Sequence, residues 1–305
     1  MQIDQVSRTA QITAYSRGYH SLYDDPKIFN DFLANHLLTK EERVSIEERM
    51  MASLQMNNPA CADGFSDTST ALRWIMQSQA AAPILLGRAR YTEDLLSEAV
   101  TEGIGQYVIL GAGLDTFAFR SQKLNKRIQV MEVDHPATQL YKRNRITELG
   151  WEPPDNLHFI PVDFTHDNLT EALRNSSFDP GIQSFFSWLG VTYYLSRETV
   201  FATLRHIVDI APSGSRLVFD YLDNNAFEEN KAAPRVLRML KSVQELGEPM
   251  QFGFDPCLLE DELDSVGLQL VEDLSPNDIH ERYFLGRIDF YRACEHAHFA
   301  HVRIK

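Results

Sequence analysis

The feature that most constrains the chain is the run Gln106 to Arg120, QYVILGAGLDTFAFR, with the acid-ended run Gln129 to Asp134, QVMEVD, close behind it. Tyr107 to Leu110 is a short, β-prone apolar run, the pattern of a strand buried on both faces. It stops at Gly111-Ala112-Gly113, where two glycines let the backbone turn tightly and approach a ligand with no Cβ in the way. The next predicted strand, Ile128 to Val133, closes on Asp134, 21 residues past Gly113. At that distance an acid in a Rossmann-type unit meets a ribose. The spacing predicts a nucleoside site.

The third glycine of the dinucleotide fingerprint is missing, because Thr116 occupies the position where G-x-G-x-x-G would end. A pyrophosphate needs close approach to a helix N-terminus, and a nucleoside without phosphates does not. Asp115, an acid opening the next helix, suits the helix dipole and opposes a nearby phosphate. The pattern favours S-adenosylmethionine over NAD.

From Gly105 onward strand and helix periods alternate, the sign of a doubly wound, mostly parallel α/β sheet. The expected strands are Tyr107–Leu110, Ile128–Asp134, Leu157–Ile160, Ile182–Trp188, Arg216–Leu222, Leu268–Leu274 and His296–Ile304. The last has an alternation suited to an edge strand and forms a hairpin-like addition with the sixth. Seven strands of this kind predict a Rossmann-like class I methyltransferase sheet, not the two equal halves of a dinucleotide domain. A mostly polar helical insertion interrupts the alternation near residues 223–265, with a helix expected from Pro256 to Ser265.

Residues 1–103 read as a helical cover over the ligand edge of a core spanning 104–305, the whole forming one unit. Ile28, Phe29, Phe32, Leu33 and Leu37 recur at helical spacing behind Pro26, which fits a first helical turn. Thr39 and Glu42 form a capping-box pattern for a helix to Met51, and Asn57 to Thr70 reads as a loop. Ala71–Met76 and Ile84–Val100 are expected helices, with Pro83 marking the break between them.

A net charge of −14, from 43 acids and 29 bases, disfavours a broad nucleic-acid footprint. The basic cluster Lys123-Leu124-Asn125-Lys126-Arg127 reads as a solvated turn, and Lys142-Arg143-Asn144-Arg145 as the exposed face of a helix. No stretch of about 18 apolar residues predicts a membrane span, and the first 20 residues lack the apolar core of a secretory signal. Cys61, Cys257 and Cys294 are scattered and odd in number, which points to a reducing cytoplasm without disulfides. His296, His298 and His301 do not share one strand face, so no metal site is expected.

The segments VILGAGLDTFAFR, MEVDHP, HFIPVDF, SWLGVTYYLSRETV and LEDELDSVGLQLVEDL, in that order over about residues 20–285, resemble the leucine carboxyl methyltransferase family. This is a branch of the class I S-adenosylmethionine-dependent methyltransferases that includes bacterial O-methyltransferase-like proteins. The resemblance implies that Arg88 binds the methionine carboxylate of the cofactor, a role that suits a bidentate guanidinium. It sets Gly111 and Gly113 against the methionyl and ribose part, and Asp134 on the ribose hydroxyls. Asp163 and Phe164 fall at the adenine, and the loop Leu189-Gly190-Val191 near the reacting methyl group.

Each assignment has a structural rival. Arg90 is the alternative carboxylate ligand, Asp134 could serve only as a strand-end turn residue, and Asp163 could cap a helix beginning near Asn168. Phe164 could be ordinary core, and Glu132 could either share the ribose or face a helix. Family members carry an acid where Leu189 stands and tend to carry a lysine ahead of the early Asp-Pro, in a stretch (Ala14 to Asp24) that has none here. Both departures lie close to where the methyl acceptor would bind. Methylation of the C-terminal leucine of a protein phosphatase is therefore not implied.

Methyl transfer from a sulfonium is an in-line displacement governed by alignment, and positioning can supply effective molarities of about 10⁵–10⁸ M. A carboxylate acceptor needs no general base, whereas a hydroxyl benefits from one. The candidates are Tyr19, His20, Tyr23, Tyr193 and Tyr194, none of which is assigned. The expected function is O-methylation of a carboxylate or hydroxyl of a small molecule by a monomer or homodimer. A non-catalytic cofactor-binding protein and an NAD-dependent oxidoreductase are the alternatives.

Overall fold

The computed structural model describes residues 6–121, 124 and 127–305. Residues 1–5 of the N-terminal stretch and Lys123, Asn125 and Lys126 of the basic turn lie outside them. Seven strands form one sheet: β1 (Gln106–Leu110), β2 (Gln129–Asp134), β3 (Leu157–Pro161), β4 (Ser184–Trp188), β5 (Arg216–Leu222), β6 (Leu268–Leu274) and β7 (Ala297–Ile304). Their order is β3-β2-β1-β4-β5-β7-β6. The first five pair in parallel, and β7 runs antiparallel to both β5 and β6. Parallel strands need crossover helices on both faces, so their side chains are buried on both sides and their sequences read as continuous apolar runs. β1, β4 and β5 are buried at every position.

Two apolar layers flank the sheet. Tyr107, Ile109, Val130 and Phe185 pack with Tyr15, Leu86 and Leu96 from the N-terminal helices, while Val108, Met131, Phe186 and Trp188 pack with Leu204 and Ile207. The chain leaves β1 toward β2 and β3, then returns to β4 and β5 on the other side. In open α/β sheets such a reversal opens a crevice at the carboxyl ends of the strands flanking it. Here it lies at the ends of β1 and β4.

Several sequence expectations are corrected. β7 is not an edge strand: it lies between β5 and β6, and all but Arg303 of its residues are buried. An alternating pattern hid this because His298 and His301 are polar residues enclosed by neighbouring strands. Residues 27–38 do not form the expected helix; only the short 3₁₀ turn Ala34–Leu37 does. Tertiary polar contacts override the helical spacing there, since Asp31 is drawn to Arg17 and Thr116 and the Ile28 N–H donates to His20 Nε2. Pro83 lies inside the first turn of the helix Ala81–Thr101, where its missing N–H costs nothing, and the break falls at Gln79–Ala80. The expected loop holds the short helix Pro59–Ala62, and the helix expected from Pro256 is confined to Leu259–Asp264. Lys142 is not on an exposed face: it is buried against Glu132.

The helix expected to end at Met51 runs Lys40–Asn57 and opens on the Thr39/Glu42 capping box. The insertion contains the helix Pro234–Glu245. No helix among the described residues is long and apolar enough to cross a membrane.

Candidate functional site

At the end of β1 the chain turns through Gly111 and Gly113, with φ of +70° and +52°. Both values lie in the left-handed region that a side chain disfavours. The Gly111 and Ala112 N–H groups donate to the Val133 carbonyl (2.8 and 3.1 Å), which locks the turn to β2. A Cβ on Gly111 would collide with Val191 Cγ2, and one on Gly113 would come within 3.3 Å of Ala10 Cβ. The turn is thus pressed between the loop after β4 and the helix Arg8–Tyr23.

Asp134 closes β2 directly beside this turn. Its Oδ2 accepts the Gly113 N–H and its Oδ1 accepts the His135 N–H (2.6 Å). Burial pushes its carboxyl above the usual carboxylate range, against the pull of these two N–H donors. Two residues earlier, Glu132 turns away to an ion pair with Lys142 of the helix Pro136–Glu148, so it faces a helix and not the turn. Burial pushes Glu132 up to about 7 even with Lys142 beside it.

Past β3, the Asp163 carboxylate accepts from Thr165 N (2.9 Å) and Oγ1 (2.6 Å), with His166 Nδ1 at 2.9 Å. Burial alone would raise its pKa, but these bonds hold it down at about 2. Asp163 thus closes its own turn and does not cap the helix Leu169–Arg174, whose N-cap is Asn168. Phe164 is half-buried and lies at a tilt against Trp188, ring centroids 6.2 Å apart.

Arg88 enters from the opposite side. It is buried on the helix Ala81–Thr101, and its Nη1 donates to Asp220 Oδ2 on β5 (2.7 Å) and to the Tyr193 hydroxyl (2.8 Å). Gly190 lies so close that a Cβ there would collide with the guanidinium. Arg90 is exposed and pairs with Asp94 on its own helix. Leu189 is partly buried against the core. The loop 189–191 therefore touches Arg88 on one side and the glycine turn on the other.

The buried candidate bases are not free to act as one. His20 is fully buried, with Nδ1 at 2.8 Å from Asp24 and Nε2 accepting the Ile28 N–H. Burial raises the pKa of Tyr19, Tyr193 and Tyr194 above that of a free phenol, and Tyr23 is exposed beside Tyr19. His296 is held between Asp223 (3.0 Å) and the Ala233 N–H (3.1 Å). Among the described residues no group of three His, Cys, Asp or Glu side chains could hold a metal ion.

Sequence reasoning missed three acids. Asp220 stands alone in the apolar strand RLVFDYL. Asp31 is buried and collects Arg17 Nε (2.9 Å), Thr116 Oγ1 (2.6 Å) and Arg120 (3.6 Å), while Arg17 also donates to the Leu114 carbonyl (2.9 Å). This ties the cover to the far side of the glycine turn. Glu248 accepts from Ser7 Oγ (3.2 Å), Arg8 N (3.0 Å) and Thr9 Oγ1, pinning the start of the helix Arg8–Tyr23. For Asp220 and Asp31 a signal exists in the sequence: each is a single acid inside an apolar run.

The parallel five-strand unit with an antiparallel β7 between β5 and β6, and an acid of β2 bonded to a glycine turn, defines a class I S-adenosylmethionine-dependent methyltransferase. Solved structures share this fold. One is a DUF574-family protein from Streptomyces avermitilis, with TM-score 0.60 and 13% identity, covering 96% of this chain and 97% of that one. Another, a provisionally named methyltransferase from Thermobifida fusca, has TM-score 0.55 and 16% identity over 84% and 94%. The chain belongs to the leucine carboxyl methyltransferase family, whose pattern it matches over residues 10–208. It is similar to YktD of Bacillus subtilis (strain 168), provisionally named an S-adenosyl-L-methionine-dependent methyltransferase, at 39% identity over 303 residues and 99% of both chains. A similarly named Mycobacterium bovis protein, Mb3432, is 32% identical over 212 residues, 70% of this chain and 57% of its own length.

The residues present fit that cofactor. Asp134 is a half-buried carboxylate whose contacts are backbone N–H groups, each oxygen keeping acceptor capacity for a ribose hydroxyl. Among the described residues no pyrophosphate clamp of the dinucleotide type is seen at Thr116, which is fully buried and bonded to Asp31.

Proposed function

We propose that the chain is an O-methyltransferase acting on a small molecule, with a carboxylate as the acceptor its geometry favours. The observation that carries this reading is that the buried candidate bases are unfit for the role: His20 is locked into structural hydrogen bonds, and burial holds Tyr19, Tyr193 and Tyr194 as neutral phenols. A carboxylate is ionised at neutral pH and needs no base, whereas a hydroxyl acceptor does. The clasp between Glu248 and residues 7–9 supports a small acceptor, because the start of the cover lies against the glycine turn.

In this reading Asp134 takes the ribose hydroxyls, Gly111 and Gly113 let the backbone approach the sugar, and Asp163 and Phe164 border the base. Arg88, buried where Arg90 is exposed, takes the methionine carboxylate. When bound, the cofactor supplies an activated methyl group. Leu189, Val191 and the two tyrosines exclude water around the loop after β4, and their neutrality leaves an anionic acceptor without a competing charge.

A second reading, a non-catalytic cofactor-binding protein, draws on Leu189 replacing the family's acid. Calorimetric titration with S-adenosylhomocysteine, with NAD in parallel, tests the cofactor. A panel of carboxylic acids and phenols with methyl-labelled S-adenosylmethionine tests the acceptor. Label transferred to carboxylic acids at a rate flat between about pH 6 and 8 is the expected result, since the acceptor is ionised throughout. Transfer to phenols alone, rising with pH, overturns the carboxylate assignment. Binding of S-adenosylhomocysteine with no transfer across the panel favours the second reading.

A further inference from the structure

We infer that Asp220 is a positioning residue that fixes Arg88 for the cofactor's carboxylate; this rests on the proposed role of Arg88. An arginine side chain has several rotatable bonds, and holding it in one geometry costs rotamer entropy. Arg88 crosses from the helix Ala81–Thr101 to the ends of β4 and β5, and its carboxylate partner there is Asp220. Asp220 has almost no solvent exposure, and its two oxygens do different work. Oδ2 accepts from Arg88 Nη1 (2.7 Å) and, at 3.3 Å, from the Tyr193 hydroxyl, while Oδ1 accepts the Gly190 N–H (2.6 Å). Its own carbonyl accepts from Thr192 Oγ1 (2.7 Å).

One side chain thus brackets the guanidinium and the backbone of the loop after β4 together. Gly190 makes this possible, with φ +75° and no Cβ to separate loop from guanidinium. With Nη1 anchored by Asp220 and Tyr193, the planar fork keeps one orientation, the condition for bidentate pairing with a carboxylate. Nothing in the reaction requires Asp220 to touch substrate, so its largest effect falls on the amino-acid end of the cofactor, which Arg88 faces.

The test compares two ligands on the full chain: S-adenosylhomocysteine, and 5′-methylthioadenosine, which keeps the adenosine and sulfur but lacks the carboxylate. Asp220→Asn should weaken the first roughly tenfold, the loss expected for a charge-assisted contact, and the second less than about twofold. Equal weakening of both would make Asp220 a structural residue only. Tighter binding of S-adenosylhomocysteine, or no change, would mean that Asp220 competes with the carboxylate or leaves it alone, and either overturns the inference. Should Asp220→Asn fail to fold, Tyr193→Phe carries the test. It removes one anchor on Nη1 and should weaken S-adenosylhomocysteine about threefold with 5′-methylthioadenosine unchanged; parallel losses or none overturn the inference. Arg88→Ala is the control: if it weakens both ligands alike, Arg88 does not hold the carboxylate and the reading beneath fails instead.

Discussion

Asp134 carries a negative charge whose contacts are two backbone N–H groups, and its burial makes that charge costly. A ligand that offers hydroxyl donors relieves this cost, so removing the carboxylate should remove much of the affinity. Asp134→Ala is expected to weaken S-adenosylhomocysteine binding at least about tenfold by calorimetry; unchanged affinity would falsify the ribose assignment. Arg88→Ala is expected to reduce affinity more than Arg90→Ala, because Arg90 spends its charge on Asp94 at the surface. The reverse order would move the carboxylate contact to Arg90. The glycine turn and Asp134 were legible because their geometry is encoded in local identity and one fixed spacing of 21 residues. Asp220 and Asp31 stand out as single acids, but what they bind was not legible, because their partners Arg88 and Thr116 lie 132 and 85 positions away in sequence.

At the scale of single elements, local signals read correctly and long-range ones did not. The capping box of the helix Lys40–Asn57 connects residues three apart and needs no tertiary knowledge. The apolar spacing of residues 27–38 was defeated by contacts from two other parts of the chain, the helix Arg8–Tyr23 and Thr116. β7 was misplaced for a related reason: its position inside the sheet depends on pairing with β5 and β6, which no local pattern records. One consequence can be measured on His301, opposite Val218. Burial, assisted by the neighbouring Arg216, lowers its pKa from about 6.5 to about 4, and its Nε2 has no hydrogen-bond partner among the described residues. Above pH 6.5 the imidazole is neutral in folded and unfolded chains alike and does not affect the balance. Between about pH 6.5 and 4 the unfolded chain takes up a proton that the folded one refuses, so stability falls as pH falls, by up to about 3 kcal/mol. His301→Leu should lose less stability than wild type when urea unfolding at pH 7.5 is compared with pH 5. Equal losses would show that His301 does not titrate in this window.

Across the whole molecule, the ties between the N-terminal helices and the sheet include the Asp31 cluster beyond the glycine turn and the Glu248 clasp before it. The two differ in depth. Asp31 is buried, with Arg17 and Arg120 holding its carboxyl below the usual range against the effect of burial. Glu248 is only half-buried, and the bonds it receives come from residues at the start of the first helix. The clasp should therefore open first. Glu248→Ala is expected to speed tryptic cleavage within residues 7–23 at least roughly fivefold, with S-adenosylhomocysteine restoring protection, as followed by mass spectrometry. Cleavage no faster than in wild type would show that the Glu248 clasp does not hold this helix.

The place of β7 also bears on how the chain is made. β5 and β6 become neighbours only through β7, which begins about 75 residues after β5 ends. At synthesis rates of about 5–20 residues per second, the open edge of β5 waits roughly 4 to 15 s for the strand that covers it. An uncovered strand edge that is mostly apolar is an aggregation template. For that interval a chain folding as it is made carries an open strand edge on the flank of the crevice at the ends of β1 and β4.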